Sequence, residues 1–126
     1  MGGTLIFDGD CGFCTRSRNL LVRLDRKHRM RTVPLQRPGV PEQAGVSREE
    51  LGKSVYWLAE DGSTRTGAEA VNAALSTALG TSIPSRIYRL PGVRALQEAV
   101  YRWVAANRHR LPGTTPWCTS HPENCG

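Results

Sequence analysis

The apolar run Thr4-Leu-Ile-Phe7 breaks at Asp8-Gly9-Asp10 and leads into Cys11-Gly-Phe-Cys14, and this segment constrains the chain more than any other. Residues 4–8, bounded by Gly and Asp, have the pattern of a central buried strand. A short turn follows, and a helix opens at the first cysteine. Two thiols three positions apart can close into a small disulfide ring and reopen, which is two-electron chemistry carried by the chain itself. At a helix N-terminus, unpaired backbone N–H groups and the positive end of the macrodipole stabilise a thiolate on Cys11. Zinc ribbons use the same spacing, so it is the strand–turn–helix setting that carries the redox reading.

From Cys11 to about Arg29 the pattern is helical. At about 100° per residue, Phe13, Cys14, Ser17, Leu20, Leu21, Leu24 and His28 share an arc of roughly 120°. Arg16, Arg23, Arg26 and Lys27 lie mainly outside it. This phasing predicts that Cys14 points to the core while Cys11 stays accessible at the cap. An attacking thiol and a sheltered one are the division that exchange chemistry needs. Cys11 as thiolate attacks a substrate disulfide, and Cys14 resolves the mixed disulfide.

A chain of 126 residues suits one domain with a core of its own. Its 39% hydrophobic and 22% charged residues are those of an ordinary globular protein, and no apolar stretch approaches the roughly 20 residues of a membrane span. Met1-Gly-Gly-Thr carries no basic n-region, so the expected location is cytoplasmic, where cysteine pairs are more often catalytic or metal-binding than structural. The formal charge of +6 is concentrated in Arg16, Arg18, Arg23, Arg26, Lys27, Arg29, Arg31 and Arg37. Aromatic residues, only 6% of the chain, do not interleave with these charges as a nucleic-acid stacking platform would. No specific nucleic-acid partner is expected. A solvated helix face, or a field steering acidic substrates, accounts for the charge.

Further along, Arg31-Thr-Val-Pro-Leu35 reads as a second strand whose Pro34 suggests an edge or a terminus. Gln36 to Gly45 reads as a loop. Ser47-Arg-Glu-Glu50 is a capping box opening a short helix. Ser54 to Leu58 is a strand, and Glu60-Asp61-Gly62-Ser63 a hairpin turn into Thr64-Arg65-Thr66. The helix Ala68 to Leu79 turns Val71, Ala74, Leu75 and Leu79 inward. A helical region from about Pro84 to Arg110, interrupted at Pro91-Gly92, places Val93, Leu96, Val100, Trp103, Val104 and Asn107 on one face. Trp57 and Trp103 are expected in the core. His28 and His109, near helix ends, are expected to cap or pack. The element order points to a small α/β sheet with helices packed on it.

Asp8 has two readings. It can shuttle a proton when Cys14 becomes the nucleophile, or form an Asx turn or helix cap, the role expected for Asp10. The tail, Cys118-Thr-Ser-His121-Pro-Glu-Asn-Cys125, offers three potential zinc ligands but lacks a fourth. A zinc or interaction module built from Cys11/Cys14 or Cys118/His121/Cys125 is therefore an alternative to redox catalysis. The tail thiols can equally form a local disulfide, act as a relay exchanging with Cys14, or remain exposed on a mobile segment. Asp8-Gly-Asp10 after an apolar strand is also similar to the Asp-x-Asp nucleophile of Mg-dependent haloacid-dehalogenase-type phosphatases. That reading needs later acidic residues at strand ends, and only Glu60-Asp61 comes close.

Leu5-Ile-Phe-Asp8-Gly-Asp-Cys11-Gly-Phe-Cys14 resembles the signature of the DCC family of predicted thiol-disulfide oxidoreductases, named for its Asp-Cys-Cys pattern. Val55-Tyr-Trp-Leu-Ala-Glu-Asp-Gly with Arg65-Thr-Gly67-Ala68 is similar to the family's downstream hairpin. Leu90-Pro91-Gly92 and Ala105-Ala-Asn107-Arg108-His-Arg110-Leu111 are similar to its C-terminal helical segments. The resemblance implies a thioredoxin-like α/β fold over residues 1–111, about four strands flanked by helices with extra C-terminal helices, followed by a cysteine-containing tail, residues 112–126. It implies catalytic roles for Cys11, Cys14 and Asp8, no cofactor or metal, and a protein or low-molecular-weight thiol or disulfide substrate. Thioredoxin relatives place a cis-proline before a later strand to hold the substrate backbone. The corresponding stretch here, Gly52-Lys53-Ser54-Val55, has no proline.

Overall fold

The sheet is built around the first apolar run. In the computed structural model, which describes residues 2–108 and 110–125, β1 (Gly3–Phe7) pairs in parallel with β2 (Met30–Pro34) and antiparallel with β3 (Tyr56–Ala59). A short β4 (Thr64–Thr66) extends β3, giving the order β2-β1-β3-β4. With neighbours on both sides, β1 reads apolar throughout. Pro34 ends the edge strand β2, where its missing N–H removes no ladder bond. The result is the α/β arrangement the resemblance implies, a four-stranded mixed sheet flanked by helices.

Alternation along β1 divides the core. Leu5 packs with Met30 and Trp57 against Ala70 and Ala74 of α4 (Gly67–Leu79), small residues that let this helix press close to the sheet. Ile6 faces the other way, onto Leu35, Val40 and Leu51. Val40 belongs to a five-residue helix, α2 (Val40–Ala44), inside the segment expected to be a loop. Leu51 ends α3 (Arg48–Leu51), where Ser47 caps the Glu50 N–H as the capping box predicts. Among the described residues no helix is long and apolar enough to cross a membrane.

Several expectations need correction. Helix α1 runs Gly12–Leu24, not to Arg29. Buried Asp25 ends it, because its carboxylate accepts the Arg29 and Met30 N–H groups, each at 2.9 Å, and turns the chain into β2. His28 lies in that turn with φ +52°, off the helix face assigned to it. His109 lies outside the described residues.

The larger correction concerns α6 (Val93–Asn107), which follows α5 (Ile83–Tyr88). Trp57 is 3% exposed, as expected, but Trp103 is 59% exposed, with Leu96 and Val100 also in solvent. Polar anchors on the adjacent stripe set the rotation of this helix. Gln97 accepts from Asn72, Glu98 from Ala68 N–H and the Tyr88 hydroxyl, and the Tyr101 hydroxyl from Val55 N–H. Leu20, Val71 and Leu79, expected inside, are exposed as well.

Candidate active site

The chain leaves β1 at Phe7 and reaches α1 through a four-residue turn closed by Cys11 N–H donating to the Asp8 carbonyl at 3.2 Å. Asp8 Oδ1 accepts the Asp10 N–H at 3.0 Å, the Asx turn foreseen for it. Asp10 is exposed and does not cap the helix. Cys11 does: in extended backbone, its Sγ accepts the Cys14 N–H at 3.2 Å.

This cap reverses the expected accessibility. Cys11 is 1% exposed, whereas Cys14 is only half-buried. Capping folds the Cys11 side chain back onto the first turn of α1, and a distant segment packs over that turn. Thr114 N–H donates to the Gly12 carbonyl at 3.2 Å, and Cys118 N–H to the Gly9 carbonyl at 2.9 Å. Periodicity along α1 reports neither contact.

Cys14 sits beside a residue that sequence reasoning assigned no role. Arg108, just past the end of α6, lies 3.9 Å from Cys14 Sγ and 3.2 Å from Asp8 Oδ2. It also donates to the Gly52 carbonyl at 3.0 Å. Its one sequence signal was its place in the Ala105–Leu111 segment. The Gly52–Val55 stretch, expected to correspond to the proline site of thioredoxin relatives, is therefore engaged by α6 and the residue after it, through Arg108 at Gly52 and Tyr101 at Val55.

The Cys14 thiol is pushed up to about 12, first by burial, then by its hydrogen bond to Cys11 and the negative charge there; Arg108 pulls the other way. Asp8 is held on both oxygens, by Gln36 Nε2 at 2.8 Å and by Arg108. Cys11, Cys14 and Asp8 thus form one cluster. An open cavity of about 610 Å³ between α1, α4 and α6 ends at Asp8, Cys14 and Arg108, its walls formed by residues such as Phe13, Leu21, Leu75 and Val104.

The rival sites do not assemble. Ala59 pairs with Gly3, so Glu60-Asp61 lies beyond the start of β1 while Asp8 follows its end, roughly 20 Å away along the strand. Cys118 and Cys125 are joined in a disulfide, so neither is a thiolate zinc ligand in this state, nor an exposed thiol on a mobile segment. Among the described residues, no three His, Cys, Asp or Glu side chains converge as a metal site.

Comparison with curated proteins and with solved structures gives no match. The family model of DCC1-like thiol-disulfide oxidoreductases matches residues 5–114, from β1 to the strap over Gly12, and the chain belongs to that family.

Proposed function

We propose that this chain exchanges disulfides through Cys11 and Cys14, acting on a protein or low-molecular-weight disulfide. Cys11, as thiolate, attacks one substrate sulfur and expels the other, which takes up a proton. Cys14 then gives up its proton and attacks Cys11 Sγ, releasing the second substrate thiolate and leaving Cys11–Cys14 oxidised. Two electrons pass from the protein to the substrate.

The observation that carries this reading is Cys11 Sγ accepting the Cys14 N–H at the cap of α1. Backbone N–H groups at a helix N-terminus stabilise negative charge on an acceptor placed there. The causes that hold Cys14 protonated also give the steps their order. Two of them, the hydrogen bond to Cys11 and the charge on it, are removed once Cys11 enters a mixed disulfide. Cys14 therefore becomes more acidic at the step that needs it as nucleophile. Arg108 stabilises the thiolate forming there, and Asp8 accepts the proton.

Mild oxidation followed by peptide mapping is expected to show loss of two hydrogens located at Cys11–Cys14. Reduction of a model protein disulfide is expected to vanish in Cys11→Ser. Wild-type activity in that variant would sink the proposal.

A further inference from the structure

Resting on that reading, we propose that Cys118–Cys125 is a second redox centre, the internal disulfide with which the Cys11–Cys14 pair exchanges. The argument begins from a conflict. The sulfur proposed to attack first, Cys11, is 1% exposed, and the tail segment docked on either side of it carries a disulfide.

The docking of that segment is specific. Gly9, Gly12 and Thr15 bracket Cys11 on both sides, and each accepts from a tail backbone N–H. The donors are Cys118 at 2.9 Å and Thr114 at 3.2 Å onto the carbonyls, and Trp117 at 3.0 Å onto Thr15 Oγ1. Contact at two glycines is tight enough to exclude side chains. A Cβ on Gly12 would stand 2.5 Å from the Thr114 carbonyl oxygen, and one on Gly9 would stand 2.5 Å from Cys118 Sγ. The sulfur of the second disulfide thus rests on the turn that presents Cys11. The Trp117 indole anchors the segment, edge-on to Phe7 at 6.0 Å and under the Arg18 guanidinium at 4.3 Å. Gln36 couples the two centres. Its Nε2 donates to Asp8, and its Oε1 accepts the Gly9 N–H and lies 3.7 Å from Cys118 Sγ.

The starting state is the one in the structure, with Cys11 and Cys14 free and Cys118–Cys125 bonded. Cys11 thiolate attacks Cys118 Sγ, forming Cys11–Cys118 and expelling Cys125 thiolate, which takes up a proton. Cys14 loses its proton, attacks Cys11 Sγ and expels Cys118 thiolate, which is protonated in turn. Two electrons move from the buried pair to the tail pair with no outside reactant. The tail dithiol then reduces the external protein or low-molecular-weight disulfide, returning to Cys118–Cys125. The buried pair in this way gains an internal route to external disulfides through the tail, beside the direct attack proposed above.

The test uses the full chain with Cys14→Ser, in which attack by Cys11 cannot be resolved. The reduced variant is oxidised with one equivalent of glutathione disulfide, quenched in acid, alkylated and digested without reduction. The expected product is a Cys11–Cys118-linked peptide with Cys125 alkylated, in monomeric protein. Wild-type protein quenched early is expected to show the same link transiently, which keeps the test intact if the variant folds poorly. Finding Cys118–Cys125 as the sole disulfide in both samples overturns the proposal and leaves the tail a structural staple. The Cys118→Ser/Cys125→Ser double variant separates the two readings. If Cys11–Cys14 still closes there on mild oxidation while the Cys14→Ser and wild-type samples show no Cys11–Cys118 link, only the internal exchange fails. If Cys11–Cys14 closes neither there nor in wild type, both fail.

Discussion

Cys11 Sγ accepts the backbone N–H of Cys14 at 3.2 Å, so the buried sulfur of the pair caps α1 and the other is the more exposed. The Cys14 thiol, pushed up to about 12 by burial and by Cys11, has a consequence that pH reads directly. Residue-resolved alkylation of Cys14 in the reduced protein is expected to keep rising with pH past 9, the ordinary thiol value, without a plateau there. Stability follows with a definite sign. Above about pH 9 the unfolded chain releases the Cys14 proton while the folded chain keeps it. The unfolded state then binds fewer protons, and stability falls as pH rises from about 9 toward 12. After discounting for the part of the thiol that solvent reaches, the loss is about 1–2 kcal/mol. Urea titrations of reduced wild type and Cys14→Ser at pH 8 and pH 10.5 check it; parallel behaviour of the two would refute the assignment.

Arg108 ties Asp8, Cys14 and Gly52 together, and Arg108→Ala removes all three contacts at once. Breaking a buried ion pair costs about 3–5 kcal/mol; with Asp8 and Arg108 still 14% and 19% exposed, about 2–3 kcal/mol is expected. Losing the guanidinium also makes the Cys14 thiolate harder to form, so resolution slows and the mixed disulfide on Cys11 accumulates. Arg108→Lys keeps a positive charge but not the planar fork, so it is expected to recover only part of the stability. Acid-trapped intermediates counted by mass spectrometry test the first effect and chemical denaturation the second.

The two tryptophans expected in the core separate cleanly. Trp57→Ala is expected to cost about 3–5 kcal/mol, because a 3% exposed ring between α4 and β1 leaves a cavity. Trp103→Ala is expected to stay within about 0.5 kcal/mol, since the ring is 59% exposed. Equal losses in urea denaturation would contradict the rotation of α6 described above.

That contrast shows which parts of this protein are legible in its sequence. The strand, turn and cysteine-capped helix are local, so apolar runs and turn residues reveal them, and the Ser47 cap and the hairpin after Trp57 follow for the same reason. The rotation of α6 is not legible, because Gln97, Glu98, Tyr101 and Arg108 outweigh the apolar stripe through partners at Asn72, Ala68, Val55 and Asp8. Helix α1 ends early through Asp25, a polar residue whose burial is set by β2. The docking of the tail on the turn beside Cys11 joins residues more than 100 positions apart, as at Gly9 and Cys118. Periodicity carries no signal for such contacts.

Gly9→Ala tests the contact between the tail and the active-site turn. The new Cβ would stand 2.5 Å from Cys118 Sγ, 2.9 Å from Pro34 Cβ and 3.0 Å from Gln36 Oε1. Pro34 is fixed by its pairing with Phe7, and Gln36 by Asp8, so the tail is the part that gives way. Overpacking costs about 1–3 kcal/mol, and here it falls on docking of the tail rather than on the sheet. Since each 1.4 kcal/mol is a factor of ten, the undocked population rises roughly five- to 150-fold, and alkylation of Cys11 at neutral pH rises with it. Gly62→Ala is the control. It forces alanine into φ +88° with no atom within 4 Å of the new Cβ, so it strains the β3–β4 hairpin and leaves the tail in place. Cys11 alkylation is expected to rise in Gly9→Ala and not in Gly62→Ala. An unchanged rate in Gly9→Ala would mean that something other than the tail shields Cys11.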